Sequence, residues 1–452
     1  MLRLPAYSQF SKEQVAIDDL PAEGNYLVIG PPGTGKTVLA LYRSSRLAKS
    51  ANGTQFLAYG KPLSQYVHQA ASATSLEGTA NTFHSWFANW YRRAYRRFPP
   101  KVVGRPYDHD WDQIYPQLAR GVPADARLSN LIIDEGQDLP VEFYLAVQLI
   151  ADNITVFADE NQSIKETNST VCDLIDHLNP RQVRTLTTNY RNSLQIASLS
   201  REFFTGTHSG IPDLPPRRGE SPILLHSIPF ERQIAYIISY ERTHSDRDIG
   251  VLVENVDTLV RMHSLLEGRT INPVQAYARK LGMTELQFGQ RGIKLLAFQS
   301  AKGLEFDTVF LPALERTRHP LSLRERMTWY VLSSRARDEL YFLTADVGVP
   351  IPLRDVPSAL YSAETLSPDA IPTSGALSAS RQTRPTPPTA PKAPGRSSGS
   401  VPTPPSPRPG SQLPSDSPVP AAPAPTLATD AQLRQLAAHL RSRNAVPRQG
   451  KP

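Results

Sequence analysis

The residues best able to do chemistry lie between Asn25 and Ala40, in the stretch NYLVIGPPGTGKTVLA. Gly30, Gly35, Lys36 and Thr37 fit the spacing G-x-x-x-x-G-K-[ST], with Gly33 between them, an apolar run before and a helical pattern after. Glycines let backbone N–H groups wrap a phosphate, and the N-terminus of the next helix adds positive potential. Lys36 is expected to reach β- and γ-phosphates, and Thr37 to hold Mg2+. A second segment, LIIDEGQD, ends another apolar run in an acidic pair. Asp134 is expected to complete the magnesium site from a neighbouring strand. Glu135 beside it would orient or deprotonate an attacking water. Together the two segments predict hydrolysis of ATP with Mg2+, the phosphate serving as fuel.

Elements must hold these segments in place. Strand-like runs recur along the chain: NYLVIG, TQFLAYG, LSNLIIDE, NITVFAD, QVRTLTT, PILLHSI, DIGVLVE, IKLLAF, DTVFLPA and LYFLTA. Helical patterns such as KTVLALYRSSRLAKS and PVEFYLAVQLI lie between many of them. Apolar strands without alternation, separated by helices, predict α/β architecture with parallel sheets covered on both faces. A chain of 452 residues with 40% hydrophobic content is too long for one ordinary core, so more than one domain is expected.

Composition excludes other classes. The single cysteine, Cys172, rules out a disulfide framework and a four-cysteine metal site. The opening MLRLPAYSQFSKEQ lacks an apolar signal core, and no apolar run reaches a membrane-spanning length. A cytoplasmic protein with no membrane partner is the expectation. The net charge is +7, but residues 356–452 alone hold 10 Lys and Arg against 4 Asp and Glu. The body is close to neutral, so a nucleic-acid site there must come from a local patch. Residues 356–428 are dense in Pro, Ser and Ala and cannot bury enough surface to fold, so a disordered tail is expected. Beyond it, residues 429–444 space Leu433, Leu436 and Leu440 as a short amphipathic helix. That helix is a candidate dock for a partner protein such as a nuclease.

The order of motifs resembles that of superfamily 1 helicases of the UvrD/Rep type, over roughly Phe10 to Leu343. FSKEQ resembles the motif whose glutamine reads adenine, which puts that role on Gln14. GPPGTGKT and DEGQD match the first two motifs, and TFHSW resembles the segment that touches single-stranded DNA, through Thr82, Phe83 and His84. FADENQSI places a γ-phosphate sensor at Gln162. NYRNS puts Tyr190 on adenine and Arg191 on the γ-phosphate. QSAKGLEFD puts Glu305 on the ribose, and YVLSSRARDEL puts a second-domain arginine finger at Arg335. The resemblance implies two RecA-like P-loop NTPase domains, at 1–185 and 186–355, with a small inserted stub around 87–128 in the first. It also implies ATP-dependent 3′–5′ movement on single-stranded DNA, with RNA as the other substrate to test. The alternative is a nucleotide-gated switch that binds nucleic acid or regulates a partner without processive unwinding, and DNA repair or phage defence would suit either.

The chain departs from the family on its nucleic-acid side. QSIKETNST carries no aromatic after the third motif, and Ala297 and Gln299 stand where a threonine and a histidine are usual. The spacing leaves little room for accessory domains, so duplex unwinding by the chain alone is expected to be poor. The stub contains SWFANWYRRAYRRFPPKVVGR, in which aromatics alternate with Arg92, Arg93, Arg96 and Arg97. Two readings stand open: a single-strand surface of stacking rings and arginines, or an amphipathic helix with its rings in the core and its arginines in water.

Overall fold

The computed structural model describes residues 5–50, 53–58, 60–71, 80–105, 108–159, 169–206, 210–278, 282–317 and 321–365. Gln162, the Pro-rich tail beyond Thr365 and the helix expected at 429–444 lie outside the described residues.

Each half of the chain builds a parallel sheet clothed by helices. The first half contains β1 (Tyr26–Ile29), β2 (Thr54–Ala58), β3 (Ala80–Thr82), β4 (Leu128–Ile133), β5 (Ala151–Ala158) and β6 (Gln182–Thr185). They lie in the order β3-β2-β4-β5-β1-β6, every pair parallel. Helices α1 (Lys12–Asp18), α2 (Lys36–Ser50), α3 (Lys61–Ala71), α4 (Phe83–Tyr95), α5 (Trp111–Ala119), α6 (Val141–Ile150) and α7 (Val171–Leu178) connect them. The second half contains β7 (Ile223–His226), β8 (Asp248–Val253), β9 (Gln275–Tyr277), β10 (Gly292–Ala297), β11 (Phe306–Leu311), β12 (Ala336–Leu343) and β13 (Ser362–Thr365). Their order is β13-β7-β12-β11-β8-β10-β9, again all parallel. Its helices are α8 (Leu194–Arg201), α9 (Phe230–Thr243), α10 (Val256–Leu266) and α11 (Leu323–Ser333). Two RecA-like domains account for this arrangement.

Why the strand runs are continuously apolar is visible in β1. Leu27 and Ile29 join one core layer, while Tyr26 and Val28 join the layer on the opposite face. A strand buried on both sides has no polar face to show. In β8, Leu252 enters one layer of the second domain, and Ile249, Val251 and Val253 the other.

The inserted segment is well packed, and one boundary moves. The segment expected as a stub around 87–128 packs into the first core: Phe87, Trp90, Tyr91, Trp111 and Tyr115 share a layer with Leu131 and Phe143. The tail does not begin at Val356. Val356 and Tyr361 are buried in the second core, and β13 pairs with β7 as an edge strand. Proline-rich flanks hid this, because a short exposed edge strand needs few apolar residues. Among the described residues no helix is long and apolar enough to cross a membrane.

This boundary is testable by truncation. A chain ending at Asp355 loses two buried side chains, worth about 1.5–3 kcal/mol each, and should melt well below a chain ending at Thr365. Equal melting temperatures would show that β13 contributes nothing to the domain.

Candidate nucleotide site between the domains

The loop from Gly30 to Gly35 leaves the C-terminal end of β1 and runs into α2 at Lys36. Gly33 has φ +87°, and a Cβ there would lie 2.3 Å from Asn189 Oδ1. Only glycine combines that backbone with that close approach. Tyr190 N–H donates to the Gly33 carbonyl at 2.9 Å, which fixes the segment after β6 against the loop. Lys36 is buried and its Nζ donates to the Gly30 and Pro31 carbonyls at 2.6 and 3.0 Å, and to Asp159 Oδ2 at 3.1 Å.

Asp134 does not come from a strand next to β1. β5 lies between β4 and β1, and its end delivers Asp159 into the gap. The spacing of the motifs carries no strand order, so the intervening strand and Asp159 were not foreseen. Asp134 is buried, and neither carboxylate oxygen has a hydrogen-bond partner of good geometry. Burial raises its pKa, Glu135 adds to the rise, and the Thr37 hydroxyl pulls part of it back. Among the described residues no group of three or more His, Cys, Asp or Glu could hold a metal alone. Asp134 and Thr37 nevertheless fit Mg2+, a hard ion that takes few protein oxygens and completes its shell from phosphates and water. When bound, the ion would neutralise phosphate charge.

Glu135 sits at φ 55°, in the left-handed region, at the turn after β4. A non-glycine residue held there signals strain that its surroundings maintain. Gln137 provides the restraint: its Nε2 donates to Glu135 Oε2 at 2.6 Å, and its Oε1 accepts from Asp159 N–H at 2.8 Å. Burial alone would raise the Glu135 pKa, but Lys302 and then Lys36 outweigh it, and the net shift is downward. Glu135 is thus kept as a carboxylate able to accept a proton from water.

The second domain closes the cleft. Lys302 Nζ bonds Asp138 at 2.6 and 2.7 Å. Arg191 Nε donates to Glu305 at 2.8 Å, while its Nη1 is buried without a partner. Burial would raise Glu305, but Arg191 and then Arg337 bring its pKa down. Arg335 is buried and donates to the Val331 and Leu304 carbonyls at 2.9 and 3.1 Å. Burial and then Arg191 pull its pKa down to about 9, with Glu135, Asp159 and Glu305 acting in the opposite sense. Asn192 Nδ2 binds the Ser334 and Ala336 carbonyls, so the Asn189–Asn192 turn ties the phosphate loop to the Arg335 segment. Tyr190 is exposed. Gln14 lies against Gly35, with its amide spent on Ser11 N–H and the Thr34 carbonyl.

The nucleic-acid candidates divide. His84 is exposed and Thr82 half-buried. Phe83, expected on the single strand of DNA, is instead buried against Phe87, Phe143 and His109 and belongs to the core. The first position of α4 faces the sheet, and an aromatic there is claimed by the core. Trp86, Trp90 and Tyr91 are likewise buried, while Arg92, Arg93, Arg96 and Arg97 are exposed. Sequence reasoning missed Gln137, Asp138, Asp159 and Lys302 as site residues; the last two residues of DEGQD and the lysine of QSAKGLEFD were the available signals.

Gly33→Ala tests the loop geometry. Left-handed strain of about 1–2 kcal/mol and overpacking of about 1–3 kcal/mol should weaken nucleotide binding by at least ~10-fold in a fluorescent-ATP titration. Unchanged affinity would show that the loop need not keep this shape.

Comparison with known proteins agrees with this geometry. Residues 13–168 match the AAA domain family, and residues 229–346 match the UvrD-like helicase C-terminal domain family. Together they cover more than half of the chain. No curated protein sequence matches significantly. Among solved structures, the C-terminal domain of a possible DNA helicase from Lactobacillus plantarum WCFS1 is 23% identical, with a TM-score of 0.29. The match covers 39% of this chain and 99% of that one, a likeness too weak to carry the assignment. It is the pair of matched domains, set on either side of the cleft just described, that places the chain in the ATP-hydrolysing, UvrD-like superfamily 1 helicases.

Proposed function

We propose that the chain is an ATP-driven motor on single-stranded DNA, moving 3′ to 5′. The observation that carries this reading is that Arg335, from the second half of the chain, lies within reach of the charges of Glu135 and Asp159 of the first, with Arg191 beside it. A phosphate held by Lys36 would be touched from both domains. Binding would then favour the closed cleft, and hydrolysis would release it. In this reading Arg335 leaves its carbonyl partners to stabilise the transferring phosphoryl group, and Arg191 Nη1 supplies a second cation. Glu135 takes the proton of the attacking water. Tyr190 would stack on the base and Glu305 would meet the ribose, while Gln14 would have to give up Ser11 or Thr34 to read adenine. Exposed His84, with Thr82, would meet the strand. Repair and phage defence are the pathways proposed, with a nuclease as the partner.

A second reading is a nucleotide-gated switch without processive movement, and one observation favours it. Helix α3 grips the second domain directly. Gln65 pairs with Thr284 O and Leu286 N–H, and Gln69 with Leu286 O and Phe288 N–H, at 2.6–3.1 Å. Tyr66 meets the Phe288 ring at 5.5 Å. A clasp of this kind suits a device that holds one state for long periods.

ATPase and translocation assays separate the readings. Single-stranded DNA should stimulate turnover, Lys36→Ala should abolish it, and Arg335→Ala should cut it by ~10³-fold or more with binding retained. Chelation of Mg2+ should stop it. Directed movement on the strand supports the motor; stimulated hydrolysis without movement supports the switch. Near-normal turnover in the Arg335 variant would contradict a two-domain active site.

A further inference from the structure

The outward face of α4 is built unlike its inward one. Ser85, Asn89, Arg92, Arg93 and Arg96 follow each other at helical spacing, and all are exposed. Asn89 and the three arginines ring one open depression. No carboxylate among the described residues pairs with these arginines; the contact Arg92 makes is over the Phe98 ring, at 5.3 Å. Arginines three and four apart repel one another on a helix. Arg96 also ends the helix at φ 58° and ψ 20°, a position that glycine fills at lower cost. Among the described residues nothing offsets the repulsion at this strained helix end, and a polyanion bound there would.

The rings decide which polyanion. Single-strand sites combine basic grooves with aromatic platforms on which bases stack. Here Trp86, Phe87, Trp90 and Tyr91 all turn into the core. Phe98 is exposed but has Arg92 over its face. The surface offers phosphate ligands and no stacking, which suits a duplex, whose bases are hidden and whose phosphates face outward. Arg96 lies ~18 Å along the helix axis from His84 at 1.5 Å per residue.

We propose that the outer face of α4 docks the phosphate backbone of duplex DNA, beside the point where His84 would meet the single strand. The proposal rests on the nucleic-acid reading above and replaces the single-strand role expected for these arginines. It gives the compact chain a duplex contact without an inserted domain.

The test is fluorescence anisotropy of the full chain with a blunt-ended DNA duplex, an oligo(dT) strand and a blunt RNA duplex, over a salt series. In the variant Arg92→Ala/Arg93→Ala/Arg96→Ala, duplex DNA affinity should fall and its log–log salt slope should flatten by about two to three. Oligo(dT) affinity should change far less. An unchanged duplex slope, or an equal loss on oligo(dT), overturns the proposal; tighter binding of the RNA duplex overturns the choice of DNA. Arg96→Gly is the second variant: it should raise Tm and lower duplex affinity together, and a raised Tm with full affinity also overturns the proposal. Failure of the motor reading looks different, since a wild-type chain without DNA-stimulated ATPase would leave the duplex result standing.

Discussion

Charge burial in the cleft is the constraint on which this structure turns. Lys36 faces Asp159 and Lys302 faces Asp138, each at salt-bridge distance and shielded from water, and Arg191 faces Glu305 as a half-buried pair. Taking one partner from a buried pair costs about 3–5 kcal/mol, because the other is left uncompensated. Lys302 with Asp138 crosses from one domain to the other, so opening the cleft exposes that pair to solvent. A nucleotide entering the loop must replace Asp159 on Lys36 with its own phosphates. The energy of that exchange is what can be passed to the second domain.

The parallel sheet makes the convergence possible. β1, β4 and β5 run side by side in the same direction, so the loop after β1, Asp134 after β4 and Asp159 after β5 all emerge at one end. Ligands in open α/β sheets gather at this carboxyl end. Gln137 then spans the turn after β4 and the end of β5, holding Glu135 in a conformation that a free chain would avoid. The second domain enters through segments that precede β11 and β12, which carry Glu305 and Arg335. Neither domain alone assembles the charge pattern.

Much of this was legible because the informative signals are local. A phosphate loop states its own geometry in eight residues, and strands buried on both faces announce themselves as apolar runs. All ten strand-like runs became strands, although β6 is exposed along its length. The strands that escaped notice, β3, β9 and β13, are three- or four-residue edges with little to bury. Strand order was not legible, since nothing in the spacing of Lys36 and Asp134 reveals that β5 lies between them. Pairing across the cleft was hidden for the same reason: Lys302 and Asp138 are far apart in sequence. Composition also misled in one place. Alternating rings and arginines in α4 fit a stacking surface and a buried aromatic face equally well until the neighbours of Phe83 and Trp90 are known.

In the closed cleft one triphosphate is expected to be held by both domains at once. A crystal structure with Mg2+, a transition-state analogue of the γ-phosphate and a single strand tests it most directly. Lys36 should be released from Asp159 onto the phosphates, with the Arg191 and Arg335 guanidinium groups on the analogue. An analogue held by the first domain alone, with Arg335 still on the Leu304 and Val331 carbonyls, would contradict it.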